Sequence, residues 1–98
     1  MNLTKQMSML RRQIDDIDDQ LCKLIIKRIE LGREIGEVKS NLGLPLKDEQ
    51  RENEIIRRVI RLTDGYISRK DVTRIFNEII KATKRTHLLK SKKTDKEN

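Results

Sequence analysis

Arg28 stands where the surrounding pattern asks for an apolar side chain. Leu10, Ile14, Ile17, Leu21, Leu24, Leu31, Ile35 and Val38 recur at steps of four and three, and the one gap in the run falls on Arg28. Leaving a buried charge without its partner costs about 3–5 kcal/mol, so a buried Arg28 requires a counter-charge. Two readings meet that requirement. One is an ion pair to another helix, with Glu52 as the candidate. The other is a pocket in which an anionic ligand is the partner. Glu52 interrupts the apolar stripe of a second helix, and Thr83 and His87 continue the stripe of a third, so polar groups occupy core faces in three places. Lys39, eleven residues after Arg28, lies within about 20° of the same direction on a helix and roughly 16 Å along its axis. Two cations so placed can hold one small anion between them. Arg11 is about 100° round and roughly 25 Å away, so it reaches such a site only in a second copy of the chain. Otherwise it is a solvated surface charge.

The rest of the composition narrows the chemistry. A chain of 98 residues is one domain or a piece of an oligomer. Its single cysteine, Cys22, and single histidine, His87, exclude a disulfide framework, a cysteine-based zinc cluster and a Cys–His–Asp nucleophile constellation. No apolar run approaches the roughly 20 residues of a membrane span, and no signal-peptide pattern opens the chain. Leu, Ile, Val and Phe number 28, enough for a core, while two aromatics, four glycines and one proline suit neither a sandwich nor a barrel. These features describe a soluble, all-α, cytoplasmic protein. Its net charge of +7 first suggests nucleic acid as a partner. Residues 84–98 hold six Lys/Arg and two acids, or +4, and residues 1–83 hold seventeen and fourteen, or +3. The cations of the first helix are interleaved with Asp15, Asp16, Asp18, Asp19, Glu30, Glu34 and Glu37, so no basic stripe forms.

Three helices must position the polar groups. The first starts near Thr4 or Ser8 and stops at Asn41, Gly43 and Pro45. Its 34–37 residues extend about 50–55 Å at 1.5 Å per residue. A compact chain of this size has a radius of gyration of about 12–13 Å, so the helix outruns what its own chain can cover. An intertwined homodimeric bundle is the simplest remedy. The second helix is capped by Asp48, carries Ile55, Ile56, Val59, Ile60 and Leu62, and ends near Gly65. Ser68 and Asp71 open the third, with Val72, Ile75, Phe76, Ile79 and Ile80 on its apolar face. Residues 1–90 form the helical domain, and the polar, charged residues 91–98 are expected to be a disordered tail.

The ordered set Leu10-Arg11-x-x-Ile14-Asp15-x-Ile17-Asp18-x-x-Leu21, Arg28, Gly36-x-x-Lys39 and Pro45-x-x-Asp48-x-x-Arg51-Glu52 resembles the all-helical chorismate mutases. The likeness runs from about residue 7 to 87. It implies a three-helix chain interlocked into a homodimer with two shared active sites, and an isomerase that rearranges the chorismate dianion to prephenate within aromatic amino-acid biosynthesis. Such a reaction needs no nucleophile, metal or redox cofactor. The protein holds the dianion in a chair-like conformer and stabilises charge developing on the ether oxygen.

The same resemblance assigns roles. Arg28 clamps a substrate carboxylate within its own chain, and Arg11 is donated across the dimer to the other site. Lys39 faces the ether oxygen and a carboxylate, and Arg51 is a further cation. Asp48, through its backbone, and Glu52 receive the ring hydroxyl, and Thr83 lies near a carboxylate. His87 departs from the family, in which many members carry Gln and others Glu. A neutral imidazole donates one N–H and an imidazolium adds charge, so His87 as ether-oxygen donor makes turnover more pH-dependent; otherwise it caps an apolar face. Family members are often fused to a second enzyme of the pathway, whereas this chain reads as monofunctional. An isochorismate–pyruvate lyase on the same fold and a nucleic-acid-binding helical dimer are the alternatives, and Glu52 favours the mutase.

Overall fold

The first helix, α1 (Leu3–Asn41), begins earlier than Thr4 or Ser8, because Asn2 is its cap. The Asn2 side-chain oxygen accepts the Lys5 N–H at 2.7 Å, satisfying one of the free donors of the first turn. In this computed structural model the backbone is described for residues 2–97 and the side chains for residues 2–86. The far end of α1 closes where the sequence places it. Gly43, at φ 70°, takes the left-handed turn; its N–H reaches the Ser40 carbonyl at 3.1 Å and the Leu44 N–H reaches the Lys39 carbonyl at 2.8 Å. This paired closure ties the turn to the carbonyl of Lys39 and brings the following residues back beside that side chain.

Helix α2 (Glu49–Leu62) starts at Asp48, whose Oδ1 accepts the Arg51 N–H at 3.0 Å. At its other end Thr63 turns its hydroxyl back on the Val59 carbonyl at 2.7 Å, and Gly65 carries φ 85°. Helix α3 (Arg69–Glu97) is capped by Ser68, whose Oγ accepts the Asp71 N–H at 3.0 Å. The polar tail set off by composition from residue 91 lies outside the described side chains.

Both α1 and α2 pack on α3, and no strand is formed among the described residues. The chain is extended, 61 × 35 × 16 Å with a radius of gyration of 18.0 Å, well beyond the compact value for its length. Its interior is correspondingly thin. Val72 is 2% exposed and Val59 8%, and Gly36 is the buried residue of α1. The α1 seam stays open: Leu10, Ile14, Ile17, Leu21, Leu24, Leu31, Ile35 and Val38 are 49–63% exposed. Leu62 and Ile75, placed on apolar stripes by spacing, are also exposed in the single chain. A contiguous apolar face of this length marks an interaction surface. No described helix is long and apolar enough to cross a membrane.

Glycine matters most where α1 meets α3. A Cβ on Gly32 would stand 2.5 Å from the Thr83 Cγ2. The Thr83 hydroxyl is held by its bond to the Ile79 carbonyl at 2.9 Å, so the methyl cannot simply turn away without breaking that bond. Gly32→Ala should therefore push α3 outward and destabilise the chain by about 1–3 kcal/mol, the usual cost of overpacking. Thermal denaturation checks this, and Thr83→Ala in the same background should restore most of the loss. A Gly32→Ala protein as stable as wild type would show that the crossing has slack.

Candidate active site

One face of α1 carries Arg28, Gly32, Ile35 and Lys39, spaced four, three and four residues apart, so all four project toward the same groove. The start of α2 supplies Asp48, Arg51 and Glu52, and the middle of α3 supplies Ile80, Thr83 and Lys84. The groove encloses about 270 Å³ and runs on past Gly36 and Lys47 into a further space of about 310 Å³. Gly32 is what lets α1 and α3 come close enough to share it.

Of the candidate residues, the structure brings Arg28, Lys39, Asp48, Arg51, Glu52 and Thr83 into this one groove. Arg11 does not line it and lies exposed beside the open seam, far up α1. The side chain of His87 lies outside the described residues.

The ion pair offered for Arg28 does not form. Glu52 is taken by Lys84, whose Nζ donates to Oε1, and Arg28 has no carboxylate partner among the described residues. Its guanidinium is held below its ordinary pKa, first by partial burial and then by the neighbouring charge of Arg51. Among the described residues the Arg51 side chain reaches only Glu54, on the solvent side, at 3.5 Å. Both arginines also border an adjoining depression with Arg58, floored by Val59 and Phe76, whose described lining contains no acid. Two adjacent cations with an unanswered charge are an anion site in electrostatic terms.

Lys39 is anchored at the opposite end. Its Nζ donates to the Leu46 carbonyl at 3.3 Å and stands 3.9 Å from the Asp48 carboxylate. These contacts come from the turn that Gly43 closes, so the helix stop sets the direction of the cation. The Asp48 carboxylate is spent on capping α2, and its carbonyl accepts the Glu52 N–H at 3.0 Å. Thr83 presents its hydroxyl oxygen while the proton points to Ile79. Donating to a ligand would require that hydroxyl to rotate.

Sequence reasoning missed Lys84 and Gly32. Lys84 is the fourth residue after Ile80, so extending the α3 stripe one more step would have found it. Gly32 is the fourth residue after Arg28 on the face already singled out, but a missing side chain leaves no polar signal. The described lining side chains sum to four cations, Arg28, Lys39, Arg51 and Lys84, and two acids, Asp48 and Glu52, a net of +2.

This arrangement was compared with known proteins. Residues 10–88 match the family described as chorismate mutase type II. A bifunctional chorismate mutase/prephenate dehydratase of Aquifex aeolicus is 34% identical over 82 residues, covering 80% of this chain and 23% of that protein. A chorismate mutase of Methanocaldococcus jannaschii is 35% identical over 60 residues, 61% of each chain. The chain thus spans under a quarter of the first relative's length and about three fifths of the second's. A solved chorismate mutase structure from Thermus thermophilus superposes with a TM-score of 0.79 at 28% identity, covering 84% of this chain and 93% of that one. With more than half of its length matched and the same helical architecture, the chain belongs to the chorismate mutase type II family.

Proposed function

We propose that the protein is a chorismate mutase, rearranging chorismate to prephenate in a homodimer with two shared active sites. The charge of the groove carries this reading: its net of +2, with Arg28 lacking a carboxylate among the described residues, matches a dianionic substrate. The rearrangement is intramolecular. An ether C–O bond breaks as a C–C bond forms, and no atom enters or leaves. The protein therefore contributes conformation and charge rather than a reacting group.

Arg28 and Arg51 receive a carboxylate at one end of the groove, and Lys39 faces the ether oxygen and the other carboxylate from the opposite end. Glu52 accepts the ring hydroxyl together with the Asp48 backbone, and Thr83 serves a carboxylate after its hydroxyl turns. His87, one turn beyond Thr83 on α3, is the donor we assign to the ether oxygen. Ile35, Leu46 and Ile80 give the groove its apolar walls. Arg11 completes the site from the second subunit; the open α1 seam that it flanks supports this. A reducing cytoplasm suits the free, exposed Cys22.

Incubation with chorismate and, separately, isochorismate tests the reading by product absorbance. Chorismate should be consumed to prephenate without added metal or redox cofactor. Pyruvate release from isochorismate as the faster reaction would overturn it in favour of the lyase. Neither aromatic offers an exposed stacking row for nucleic acid, since Tyr66 stands alone on a turn, 94% exposed, and Phe76 is half-buried at the floor of the depression beside Arg58.

A further inference from the structure

Lys84 is the one described cation of the groove to which neither the spacing argument nor the family resemblance gives a role. It reaches from α3 to α2, and its Nζ donates to the Glu52 Oε1. The pair stands at the groove's solvent edge, with side-chain exposures of 44% for Lys84 and 27% for Glu52. An ion pair this exposed contributes little to folding. Its place, on the carboxylate that must accept a hydroxyl from a substrate carrying two negative charges, is where its effect falls.

We infer that Lys84 is a positioning residue for substrate binding, acting through Glu52. The inference rests on the proposed mutase reading. Glu52 alone would repel the dianion at short range, and a free carboxylate would swing between rotamers. The Lys84 ammonium offsets that charge and fixes one oxygen, leaving the other oxygen of Glu52 free to accept the ring hydroxyl. The other charged groups lining the same groove, Arg28 and Lys39 on α1 and Asp48 and Arg51 on α2, have their own partners or face the carboxylate end. Lys84 is held to Glu52 alone among the described residues. Because the hydroxyl is held in the ground state and in the transition state alike, losing this contact raises KM and leaves kcat nearly unchanged.

A double-mutant cycle on the full chain tests this, with chorismate as substrate and helicity and Tm measured alongside. Lys84→Gln should raise KM about tenfold, change kcat less than about twofold and leave Tm close to wild type, while Lys84→Arg retains the wild-type KM. In the Glu52→Gln background, where there is no carboxylate to offset, Lys84→Gln should change KM less than about twofold. A full tenfold effect persisting in that background would mean direct attraction of the dianion and would overturn the inference. A fall in kcat at constant KM, or loss of helicity in Lys84→Gln, would overturn it as well. Wild-type protein that turns over no chorismate would remove the mutase reading and this inference together; turnover with additive effects removes the inference alone.

Discussion

Replacing Arg28 with alanine should lower kcat/KM on chorismate by about two to four orders of magnitude while leaving the folded protein intact. The size follows from what Arg28 faces. In the proposed reading its guanidinium clamps a substrate carboxylate in a charge-assisted, two-point contact, and removing it leaves that carboxylate to Arg51. The expectation that folding survives has a separate basis. Burial and the adjacent Arg51 charge both hold the Arg28 pKa down, so at neutral pH its positive charge is a cost to the ligand-free fold. With its folded pKa below its unfolded one, that cost is present throughout the range in which the group is protonated. Removing the charge relieves it, although the aliphatic stem also packs and is lost. Arg28→Met keeps a stem of similar shape, and its Tm should lie at or above that of Arg28→Ala. Steady-state kinetics and thermal denaturation of both variants check the pair of expectations. Collapse of both variants would mean that Arg28 has a structural partner rather than a ligand.

Mixing Arg11→Ala and Arg28→Ala proteins, each nearly inactive, should restore activity once subunits exchange. Each hybrid dimer holds one site with both arginines and one site with neither. Free exchange at equal concentrations makes half of the dimers hybrids, so about a quarter of wild-type activity should return, provided the substitutions leave association unchanged. Arg11 supplies the reason for expecting this. It lies roughly 25 Å along α1 from Arg28, too far for any side chain to bridge within one helix. It also flanks the half-exposed seam at Leu10 and Ile14, the surface a second subunit would cover. Exchange verified by mass, with no recovered activity, would sink the shared site.

The helix stops illustrate how far local chemistry reaches. Asp48, Ser68 and Gly43 are legible as cap, cap and left-handed turn because each interaction spans only three to five residues. Spacing places the start of α1 a few residues late for a related reason: Asn2, Thr4 and Ser8 are all competent caps, and only the helix continuing back to Leu3 selects among them. The groove is partly legible through its anomalies, since Arg28, Glu52 and Thr83 each break an apolar stripe. Lys84 escapes notice because it falls just where α3 turns basic, although it continues the stripe one step beyond Ile80.

By itself, then, the sequence determined the three helices, the stop of α1 and the caps of α2 and α3, the face on which Arg28 and Lys39 lie, and the inability of one chain to cover α1. Periodicity and capping are short-range, so they survive without knowledge of the fold. Only the tertiary structure decided which charges answer one another. Glu52 pairs with Lys84, thirty-two residues away, instead of Arg28, and the crossing that allows it depends on a missing side chain at Gly32 against Thr83. Electrostatic partnership is a matter of distance across helices, and that distance is set by packing. The result is an arginine with no carboxylate partner among the described residues, in a groove whose described lining carries a net +2.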